Sequence, residues 1–486
     1  MPSLRRASSV LPVRPRADGG VEVLIARRAL ELPYLGGFDS IPGGRVDPGD
    51  AGLPLDGVFD DGVERAAGLR ELFEEAGILA VTGGALGHAE RETLRREATS
   101  AELFGRHLQA RGLALAASRL ELVGDYVTPG YTRTRYRSLF YLLPVPADTT
   151  AHPETRELSL AQWLTPAEAL RRQAAGELAL TYLTLESLRR LDGTGHAGMG
   201  EPYPFPGGEM LAGVHLLALR APTLPPNTHT NTYLLGGEDL VVVDPAPPDD
   251  DQRELLAEYL ARAARAGAAV RAIWLTHYHP DHVGAVAWLR ERTGAKVYAH
   301  PSTAATLAPE LRVDGTLEEG DELELSVGDG RKARWRALHL PWHCPGHLCF
   351  YEPTRATLVA GDLLAGEGTV IVAPPEGDME AYLGSLERLL AMPLGFVFPG
   401  HGPPTGAGHA LVRAYVEHRR AREDAIVAAL AAAAAPLAPA DIVPVVYTDV
   451  DRANWGFAAQ TVRAHLELLA RRGRVREDGG RWTLIA

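Results

Sequence analysis

The sequence predicts a multidomain α/β protein, on three observations. The 486 residues exceed what one ordinary hydrophobic core accommodates, so two or three domains are expected. The composition, with 46% hydrophobic and 23% charged residues, is that of a globular chain and excludes a disordered one. Short apolar strands alternate with helical segments over most of the chain, which is the pattern of α/β folds.

Charge, cysteine content and hydropathy indicate where in the cell the protein is expected and which classes of partner it can bind. The chain has no apolar run of 18 residues, and its first residues, "MPSLRRASSVLPV", lack the hydrophobic region of a signal peptide. With only Cys344 and Cys349, a disulfide framework is excluded. We therefore expect a cytoplasmic protein without a membrane partner, and an oligomer is compatible with these data. The formal net charge of −13 excludes general attraction to nucleic acid, although a locally basic surface remains open.

The first segment, residues 1–190, combines strands and helices. "GVEVLIARR" and "RSLFYLLPV" have the apolar content of strands, and "ERAAGLRELFEEAGI" has helical periodicity. The following residues, 191–210, are rich in glycine and proline and lack periodicity, so they predict a linker.

The second segment, residues 211–408, alternates short apolar strands with helices. "DLVVVDPA", "AIWLTH", "TLVAGD" and "GFVFPGH" each end in small or polar residues, and several of these are histidine or aspartate. Side chains at the ends of strands are where sheet-based active sites are built. This segment therefore predicts a catalytic domain.

The last segment, residues 409–486, has a different pattern. A long helix beginning "LVRAYVEHRRAREDAIVAALAA" is followed by an Ala/Pro stretch and a second helix, "FAAQTVRAHLELLARRG". The end, "RVREDGGRWTLIA", has two β-prone arms around Asp-Gly-Gly, which predicts a hairpin. Helices followed by a terminal hairpin predict a winged-helix-like module.

Seven histidine and aspartate side chains predict a metal centre. "LTHYHPDHVGA" places four of them within six positions, and three more follow in "HCPGH", "VAGD" and "FPGH". They are His277, His279, Asp281, His282, His347, Asp362 and His401. Seven N/O donors suit two adjacent metals that share one carboxylate, with Zn²⁺ favoured and Fe or Mn as alternatives. Two such ions activate water and polarise the bond under attack.

These motifs resemble those of the metallo-β-lactamase superfamily over residues 225–405. The resemblance implies an αββα sandwich. It assigns His277, His279 and His347 to the first metal and Asp281, His282 and His401 to the second, with Asp362 bridging. It also gives Asp281 the catalytic role of orienting the attacking water, and makes Asp244 of "VVVDPA" a residue that supports the ligands.

The tail favours one branch of that superfamily. "YVEHRRAREDAI", followed by the winged-helix-like end, is similar to the β-lactamase-like endoribonucleases, which cleave single-stranded RNA. Residues 409–486 hold eleven arginines and nine acidic residues, a net charge of +2 in an acidic chain. Single-stranded RNA is therefore an expected partner. Glyoxalase II, a thioesterase, shares the metal ligands but has a different tail, and a glyoxalase II-like or acyl-coenzyme A thioesterase is the alternative.

A second candidate site lies in the first segment, in "LRELFEEAGI". Glu71, Glu74 and Glu75 fall on one helix face at this spacing, and their repulsion lowers stability unless a cation compensates it. The alternative is a solvated acidic face near the start of a helix. "RELFEEAGI" resembles the second half of the Nudix box, and "IPGGRVDPGD" resembles the loop before it. The resemblance implies an α/β/α sandwich, Mg²⁺ or Mn²⁺ held by the three glutamates as catalytic residues, and Arg70 in an ion pair that holds the loop. Substrates would be nucleoside diphosphate-linked or coenzyme A-like molecules.

The box departs from the Nudix pattern at one position. Gly62 stands where a glutamate is expected, an insertion at 51–61 precedes it, and Glu64 is out of register. A similar loss of this glutamate occurs in Nudix enzymes that resemble coenzyme A pyrophosphatases. Gly62 is therefore compatible with diphosphatase activity. The alternative is a non-catalytic domain that binds a nucleotide as a sensor.

Three arginines in "YTRTRYRSL" are candidate phosphate ligands. Arg133, Arg135 and Arg137 share one face of a strand at a spacing of two. The alternative is an edge strand protected by charge. Taken together, the sequence predicts a bifunctional metal-dependent hydrolase with a Nudix diphosphatase site, a dinuclear metallo-β-lactamase-type site and a winged-helix-like tail.

Overall fold

The computed structural model describes residues 4–130, 132, 134–153, 157–195, 202–225, 227–328 and 330–485. It divides into two compact units. The first unit contains residues 1–219, 255–260 and 327–330, and the second contains 220–254, 261–326 and 331–486. Within the described ranges, no helix is both long and apolar enough to cross a membrane.

The first unit is built on one mixed sheet. Its strands and helices are β1 (Arg5–Pro15), β2 (Val21–Arg28), β3 (Asp39–Ser40), β4 (Gly43–Arg45), α1 (Gly62–Ala76), β5 (Val81–Thr82), α2 (His88–Glu97), α3 (Ala101–Ala110), β6 (Ala114–Leu115), β7 (Glu121–Val127), β8 (Tyr136–Pro144), β9 (Leu158–Leu164), α4 (Pro166–Ala174), α5 (Tyr182–Leu191), β10 (Gly207–Leu211) and β11 (Val214–Arg220). The sheet order is β3-β2-β1-β8-β7, with β4 paired to β1 and β9 paired to β2. The two strands and the helix expected from periodicity in this segment are confirmed as β2, β8 and α1.

Helices cover both faces of this sheet because β1 alternates its apolar residues. Val10 packs in a cluster with Leu69 of α1 on one face, whereas Leu11 packs with Leu185 of α5 on the other. Successive residues of a strand point to opposite faces, so a strand that is apolar on both sides requires cover on both. Helix α1 ends at Gly77, whose φ of 69° supplies the left-handed conformation of a C-terminal cap.

The described part of the second unit contains two larger sheets and a C-terminal two-stranded hairpin. Its elements are β12 (His229–Leu235), β13 (Asp239–Val243), α6 (Asp250–Arg265), β14 (Ala269–Trp274), α7 (Pro280–Val283), α8 (Val286–Thr293), β15 (Lys296–Ala299), α9 (Pro301–Leu307), β16 (Gly315–Thr316), β17 (Glu322–Gly328), β18 (Arg331–His339), β19 (Leu348–Glu352), β20 (Thr357–Gly361), α10 (Met379–Leu390), β21 (Val397–Pro399), α11 (Gly408–Ala432), α12 (Pro439–Val446), α13 (Trp455–Arg471), β22 (Val475–Asp478) and β23 (Arg481–Leu484). Strands β12 to β16 follow one another in one sheet, and β17 to β21 form the other.

The two sheets pack face to face between helices. The rings of Trp274 in β14 and Phe350 in β19 lie 4.7 Å apart, across the space between the sheets. Helix α8 contacts β14 and β15 on the outside of the first sheet. Tyr382 of α10 and Val412 of α11 pack with Leu358 of β20 on the outside of the second. The result is the helix–sheet–sheet–helix layering of an αββα sandwich.

The C-terminal module has one more helix than the sequence indicated. Helices α11 and α13 and the hairpin β22–β23 are confirmed, and a further helix, α12, begins at the end of the Ala/Pro stretch. Pro439 is the first residue of α12, a position where its missing N–H costs nothing, and the Asp441 carboxylate accepts from Ala438 N–H at 3.0 Å. Ile442 and Val443 are buried in the core of the module. Proline therefore starts this helix instead of preventing it.

Candidate metal centre and carboxylate cluster

Asp244 holds the histidine-rich loop at the ends of two parallel strands. It follows β13 directly, and β14 ends beside it. Its carboxylate accepts from the backbone N–H and the hydroxyl of Thr276, at 2.8 and 2.6 Å. Nδ1 of His282 also bonds to Asp244, at 2.8 Å. This bond leaves Nε2 of His282 to face the centre, which is the usual arrangement for a histidine that binds a metal.

Asp362 lies between two of the predicted histidines. Its Oδ1 is 3.1 Å from Nε2 of His282 and 3.3 Å from Nε2 of His401. Nε2 of His401 is also 3.4 Å from Oδ2 of Asp281. Nδ1 of His401 donates to the carbonyl of His229 at 3.0 Å, so Nε2 of His401 is free for the centre. The structure thus brings together the four residues expected around the second metal.

Two of the three histidines expected around the first metal, His277 and His279, lie close together, and His343 joins them. Nε2 of His277 is 3.1 Å from Nδ1 of His279 and 3.8 Å from Oδ2 of Asp362. Nε2 of His343 is 3.2 Å from the same Nδ1 of His279. Nitrogens bound tetrahedrally to one Zn²⁺ lie about 3.3 Å apart, so these spacings match a shared ion. The sequence favours a structural or surface role for His343, and its place four residues before His347 is the one signal that it lines the site.

His347 lies beside Asp362 but is oriented differently from the other histidines. Its Nε2 accepts from the backbone N–H of Asp362 at 3.2 Å. It is fully buried, and a Cβ at Gly361 would lie 2.8 Å from this Nε2. Gly361, with φ of 49°, therefore allows the close approach of β20 to the imidazole. The donors that lie within 4.8 Å of one another here are those of His277, His279, His343 and Asp362.

The donor set fits a pair of divalent cations. Nε2 of His282 and Oδ1 of Asp362 are buried and have no hydrogen-bond partner in the described part of the chain. Burial lowers the pKa of His347 to about 3, which keeps this imidazole in the neutral form that binds metals. Burial opposes the charged form of His282, but Asp362 and Asp281 outweigh it and raise the pKa of His282 well above its usual value. The carboxylates therefore attract positive charge to this point.

In the first unit, Arg70 organises the carboxylates of α1. It is buried, and its guanidinium bonds to both oxygens of Asp50, at 2.7 and 3.0 Å. It also bonds to Glu71 at 2.8 Å and to Glu74 at 2.9 Å. The ion pair expected for Arg70 is thus present. Gly62 offers no side chain, and the main partner of Arg70 is Asp50, the last residue of "IPGGRVDPGD", to which the sequence analysis assigned no role.

The third glutamate of the helix is held by the loop before it. The N–H of Gly43 donates to Glu75 at 2.9 Å, and a Cβ at Gly44 would lie 2.5 Å from the Glu71 carboxyl. A fourth carboxylate, Glu157, lies near Glu75 and contributes to the raised pKa of Glu75. Glu157 precedes β9 and belongs to no motif, so sequence reasoning missed it.

Burial gives the carboxylates of this cluster a strong affinity for positive charge. It raises the pKa of Glu71 to about 7, and it raises the pKa of Glu75 well above the ordinary value, with Glu71 and Glu157 adding to the effect. Hard carboxylate oxygens are the ligands that Mg²⁺ and Mn²⁺ prefer, so these residues fit such an ion.

The candidate phosphate-binding arginines have partners of their own. Nε of Arg135 donates to the carbonyl of Thr128 at 3.0 Å, and Arg137 pairs with Asp125 at 2.6 Å. Arg133 lies outside the described residues. A role for these three arginines with substrate stays a prediction.

Comparison with known families identifies two parts of the chain. Residues 225–401 match the family model described as the metallo-beta-lactamase superfamily. Residues 438–482 match the beta-lactamase associated winged helix domain.

Three curated relatives show how far the similarity extends. A beta-lactamase-like protein 2 homolog from Drosophila melanogaster is 31% identical over 255 residues, 51% of this chain and 84% of the relative. A hydroxyacylglutathione hydrolase from Hyphomonas neptunium is 33% identical over 28% of this chain and 50% of its own length. An atrochrysone carboxyl ACP thioesterase from Claviceps purpurea is 28% identical over 41% of this chain and 60% of its own length.

Two solved structures are similar to parts of the chain. A beta-lactamase domain protein from Burkholderia ambifaria is 25% identical, with a TM-score of 0.49. The similarity covers 57% of this chain and 93% of the Burkholderia ambifaria chain. A NUDIX hydrolase from Alicyclobacillus acidocaldarius is 30% identical, with a TM-score of 0.35, and covers 39% of this chain and 92% of its own.

Proposed function

The chain belongs to the metallo-beta-lactamase superfamily and is a metal-dependent hydrolase of that fold, and we propose that its centre hydrolyses acyl thioesters. The observation that carries the proposal is the convergence on Asp362 of donors from four separate loops. Two curated relatives that share this part of the chain are named for the hydrolysis of thioester-linked acyl groups.

In the proposed reaction, the side chains of this chain position water and substrate. His277 and His279 would hold one cation, together with His347 as the resemblance implies or with His343, whose Nε2 lies 3.2 Å from Nδ1 of His279. Asp281, His282 and His401 would hold the other, with Asp362 between them. Such cations supply Lewis acidity and lower the pKa of water. The Asp281 carboxylate would orient the attacking water towards the thioester carbonyl and accept its proton.

The charges of the C-terminal module favour a small substrate over RNA. Most of its arginines are engaged: Arg422 pairs with Asp449, Arg471 with Asp378, and Arg419 is buried against the carbonyl of Val370. Binding to a nucleic-acid backbone requires cations that are free to replace counterions at phosphates. Arginines already paired with carboxylates contribute little to it.

Cleavage of single-stranded RNA is the second candidate, and the winged-helix domain supports it. Such a domain beside the metal centre would be a platform for a polynucleotide. Arg413 and Arg476 have no carboxylate within 4 Å among the described residues, and they would be its contacts with phosphates. In a ribonuclease, residues 409–486 would bind the substrate together with the metal centre. In a thioesterase, the same residues would serve only to pack against the rest of the unit.

For the first unit, we propose hydrolysis of a nucleoside diphosphate-linked or coenzyme A-like molecule in a Nudix-type site. The support is the cluster of Glu71, Glu74, Glu75 and Glu157 around the loop at Gly43. Mg²⁺ or Mn²⁺, when bound, would neutralise charge on a diphosphate. Coenzyme A thioesters contain both a thioester and a diphosphate, so one molecule would serve both sites.

Variants of each site test this proposal in one set of assays. Full-length protein, loaded with Zn²⁺ and Mg²⁺, is incubated with acyl-coenzyme A and with labelled single-stranded RNA. We expect Asp281→Asn to lower thioester hydrolysis by about 10² to 10⁴-fold, because the proton acceptor is lost, and to leave diphosphate hydrolysis unchanged. Glu74→Gln should lower diphosphate hydrolysis and leave thioester hydrolysis unchanged.

Each alternative has its own outcome in these assays. Cleavage of RNA without cleavage of the thioester would show that the second unit is a ribonuclease. Equal background rates of diphosphate hydrolysis in wild type and Glu74→Gln would identify the first unit as a nucleotide sensor.

A further inference from the structure

A connecting loop, residues 363–378, runs from the metal centre to helix α10. It begins directly after Asp362, the residue expected between the two metals, and ends where α10 begins. Near its start, the N–H of Gly366 donates to the carbonyl of His401 at 2.8 Å. Two expected ligands, Asp362 and His401, are therefore joined to this loop, one through the chain and one through a hydrogen bond.

The other end of the connecting loop contacts the histidine-rich loop. Glu376 accepts a hydrogen bond from the hydroxyl of Tyr278. Tyr278 stands between His277 and His279, which lie close together on the side of the first metal. The position of the connecting loop therefore affects both halves of the centre.

The C-terminal module holds the start of the connecting loop through Tyr415 of α11. Tyr415 is buried, and its hydroxyl accepts from the N–H of Ala365 at 3.0 Å. The same hydroxyl donates to the carbonyls of Ala365 and Gly368, at 3.2 and 3.3 Å. A hydroxyl can donate and accept at once, so one side chain binds several backbone groups here. Tyr415 therefore fixes the backbone that follows Asp362.

Arg419 lies one turn further along α11 and holds the next part of the connecting loop. It is 1% exposed, and its Nη2 donates to Oγ1 of Thr369 at 3.0 Å and to the carbonyl of Val370 at 2.5 Å. Its guanidinium also lies over the ring of Tyr382, 5.3 Å from the ring centre. Tyr382 in turn donates to the carbonyl of Leu363 at 3.2 Å.

The buried charge of Arg419 has no acidic partner. In the part of the chain that the structure describes, no carboxylate lies within 4 Å of its guanidinium. Burial of a charge without a counter-ion lowers stability unless hydrogen bonds and an aromatic face compensate it. An apolar side chain of similar volume would pack here without this cost. What the guanidinium adds is therefore its contacts with the connecting loop and with Tyr382.

We propose that Tyr415 and Arg419 are positioning residues of the metal centre, which act on Asp362 and His401 through the connecting loop. Both belong to "YVEHRRAREDAI", so this segment has a function that requires no nucleic acid. The assignment rests on the proposed metal-dependent hydrolysis at this centre. The C-terminal module is then required for hydrolysis of any substrate, thioester or RNA, because it sets the geometry of the metal ligands.

Two variants that keep most of the side-chain volume test the proposal. Tyr415→Phe removes the hydroxyl, and Arg419→Lys replaces the planar guanidinium with an ammonium that cannot reproduce its hydrogen bonds and ring contact together. We expect each change to weaken the binding of Zn²⁺ to the full-length protein by about tenfold, because Asp362 and His401 are less well placed. Competition with a chromogenic chelator measures the affinity. In protein loaded with Co²⁺, the visible absorption bands should shift in both variants.

Each variant has a matched control in the second unit. Tyr351→Phe also removes a buried tyrosine hydroxyl, one that donates to the carbonyl of Pro393 at 2.7 Å, outside the connecting loop. Arg422→Lys changes another arginine of α11, whose partner is Asp449 at 2.7 Å. Both controls should keep the Zn²⁺ affinity and the Co²⁺ spectrum of the wild type.

Two results would overturn the positioning role. One is a wild-type affinity for Zn²⁺ and a wild-type Co²⁺ spectrum in both Tyr415→Phe and Arg419→Lys. The other is a loss of affinity that only follows a loss of unfolding free energy, measured by chemical denaturation, which would assign these residues to folding alone. Zn²⁺ binding that depends on Tyr415 and Arg419 in a protein that cleaves no thioester supports the positioning role and refutes the proposed reaction.

Discussion

The centre around Asp362 and the cluster around Arg70 both bury carboxylates, but with different partners. Asp362 and Asp281 face imidazoles, with His401 3.3 and 3.4 Å away from them, so the donors partly neutralise one another. Around Arg70, one guanidinium faces several carboxylates. Burial of unmatched negative charge is unfavourable unless a proton or a cation joins it.

Because of this difference, the two sites depend on different contacts for their geometry and charge balance. The imidazole–carboxylate centre keeps its geometry through hydrogen bonds such as that of Asp244 with Thr276. The α1 cluster keeps its geometry through the ion pair of Arg70 with Asp50 and depends on ion binding for its charge balance. The first site should therefore respond mainly to changes in supporting residues, and the second to pH and to divalent ions.

The largest expected effect comes from removal of Asp50. Asp50→Ala should lower the free energy of unfolding of the first unit by about 3 kcal/mol, because it breaks a buried ion pair while Glu71 and Glu74 still contact Arg70. Chemical denaturation measures the effect. The matched control is Asp125→Ala, which removes the partner of the exposed Arg137 and should cost less than about 1 kcal/mol. An equal loss of unfolding free energy in the two variants would mean that the ion pair of Asp50 with Arg70 does not stabilise the first unit.

A smaller effect is expected when the support of the metal centre is weakened. Asp244→Asn should lower the affinity of the second unit for Zn²⁺ by about 10 to 100-fold, because the carboxylate that orients His282 is lost. Competition with a chromogenic chelator measures the affinity. Asp239→Asn, an exposed change in the adjoining strand, is the control. An unchanged affinity would assign Asp244 to folding of the loop alone.

The smallest effect is the contribution of Glu71 in the α1 cluster to the pH dependence of stability. Burial raises the pKa of Glu71 to about 7, so the folded protein holds a proton that the unfolded chain has released. Stability should therefore fall as pH rises from about 4.5 to about 7 and stay level above that range. Thermal unfolding of wild type and Glu71→Gln at pH 5 and pH 8 checks this, and the variant should lose less stability.

The effect of divalent ions on stability gives a second test of the α1 cluster. Mg²⁺ at millimolar concentration should reduce the loss of stability between pH 5 and pH 8 in wild type, since the cation replaces the proton. A loss that Mg²⁺ leaves unaltered would contradict the idea that the cluster holds this ion.

Much of the dinuclear centre could be predicted from the sequence, because its ligands lie in short motifs at the ends of apolar strands. His277, His279, Asp281 and His282 stand within six positions, and the remaining donors follow strands in the same way. The face of α1 that carries Glu71, Glu74 and Glu75 was equally predictable, since helical periodicity alone places them together. The predicted boundaries at 190, 210 and 408, and the roles of individual ligands, stay predictions.

Other contacts were decided by the tertiary structure alone. Asp50 ends "IPGGRVDPGD" and His343 begins "HCPGH", but no periodicity links Asp50 to Arg70 or His343 to His279, and Glu157 belongs to no motif. Side-chain periodicity within one helix or strand is a local property of the chain, so a sequence displays it directly. Contacts between distant segments depend on how sheets and loops pack, and a single sequence carries no sign of that packing.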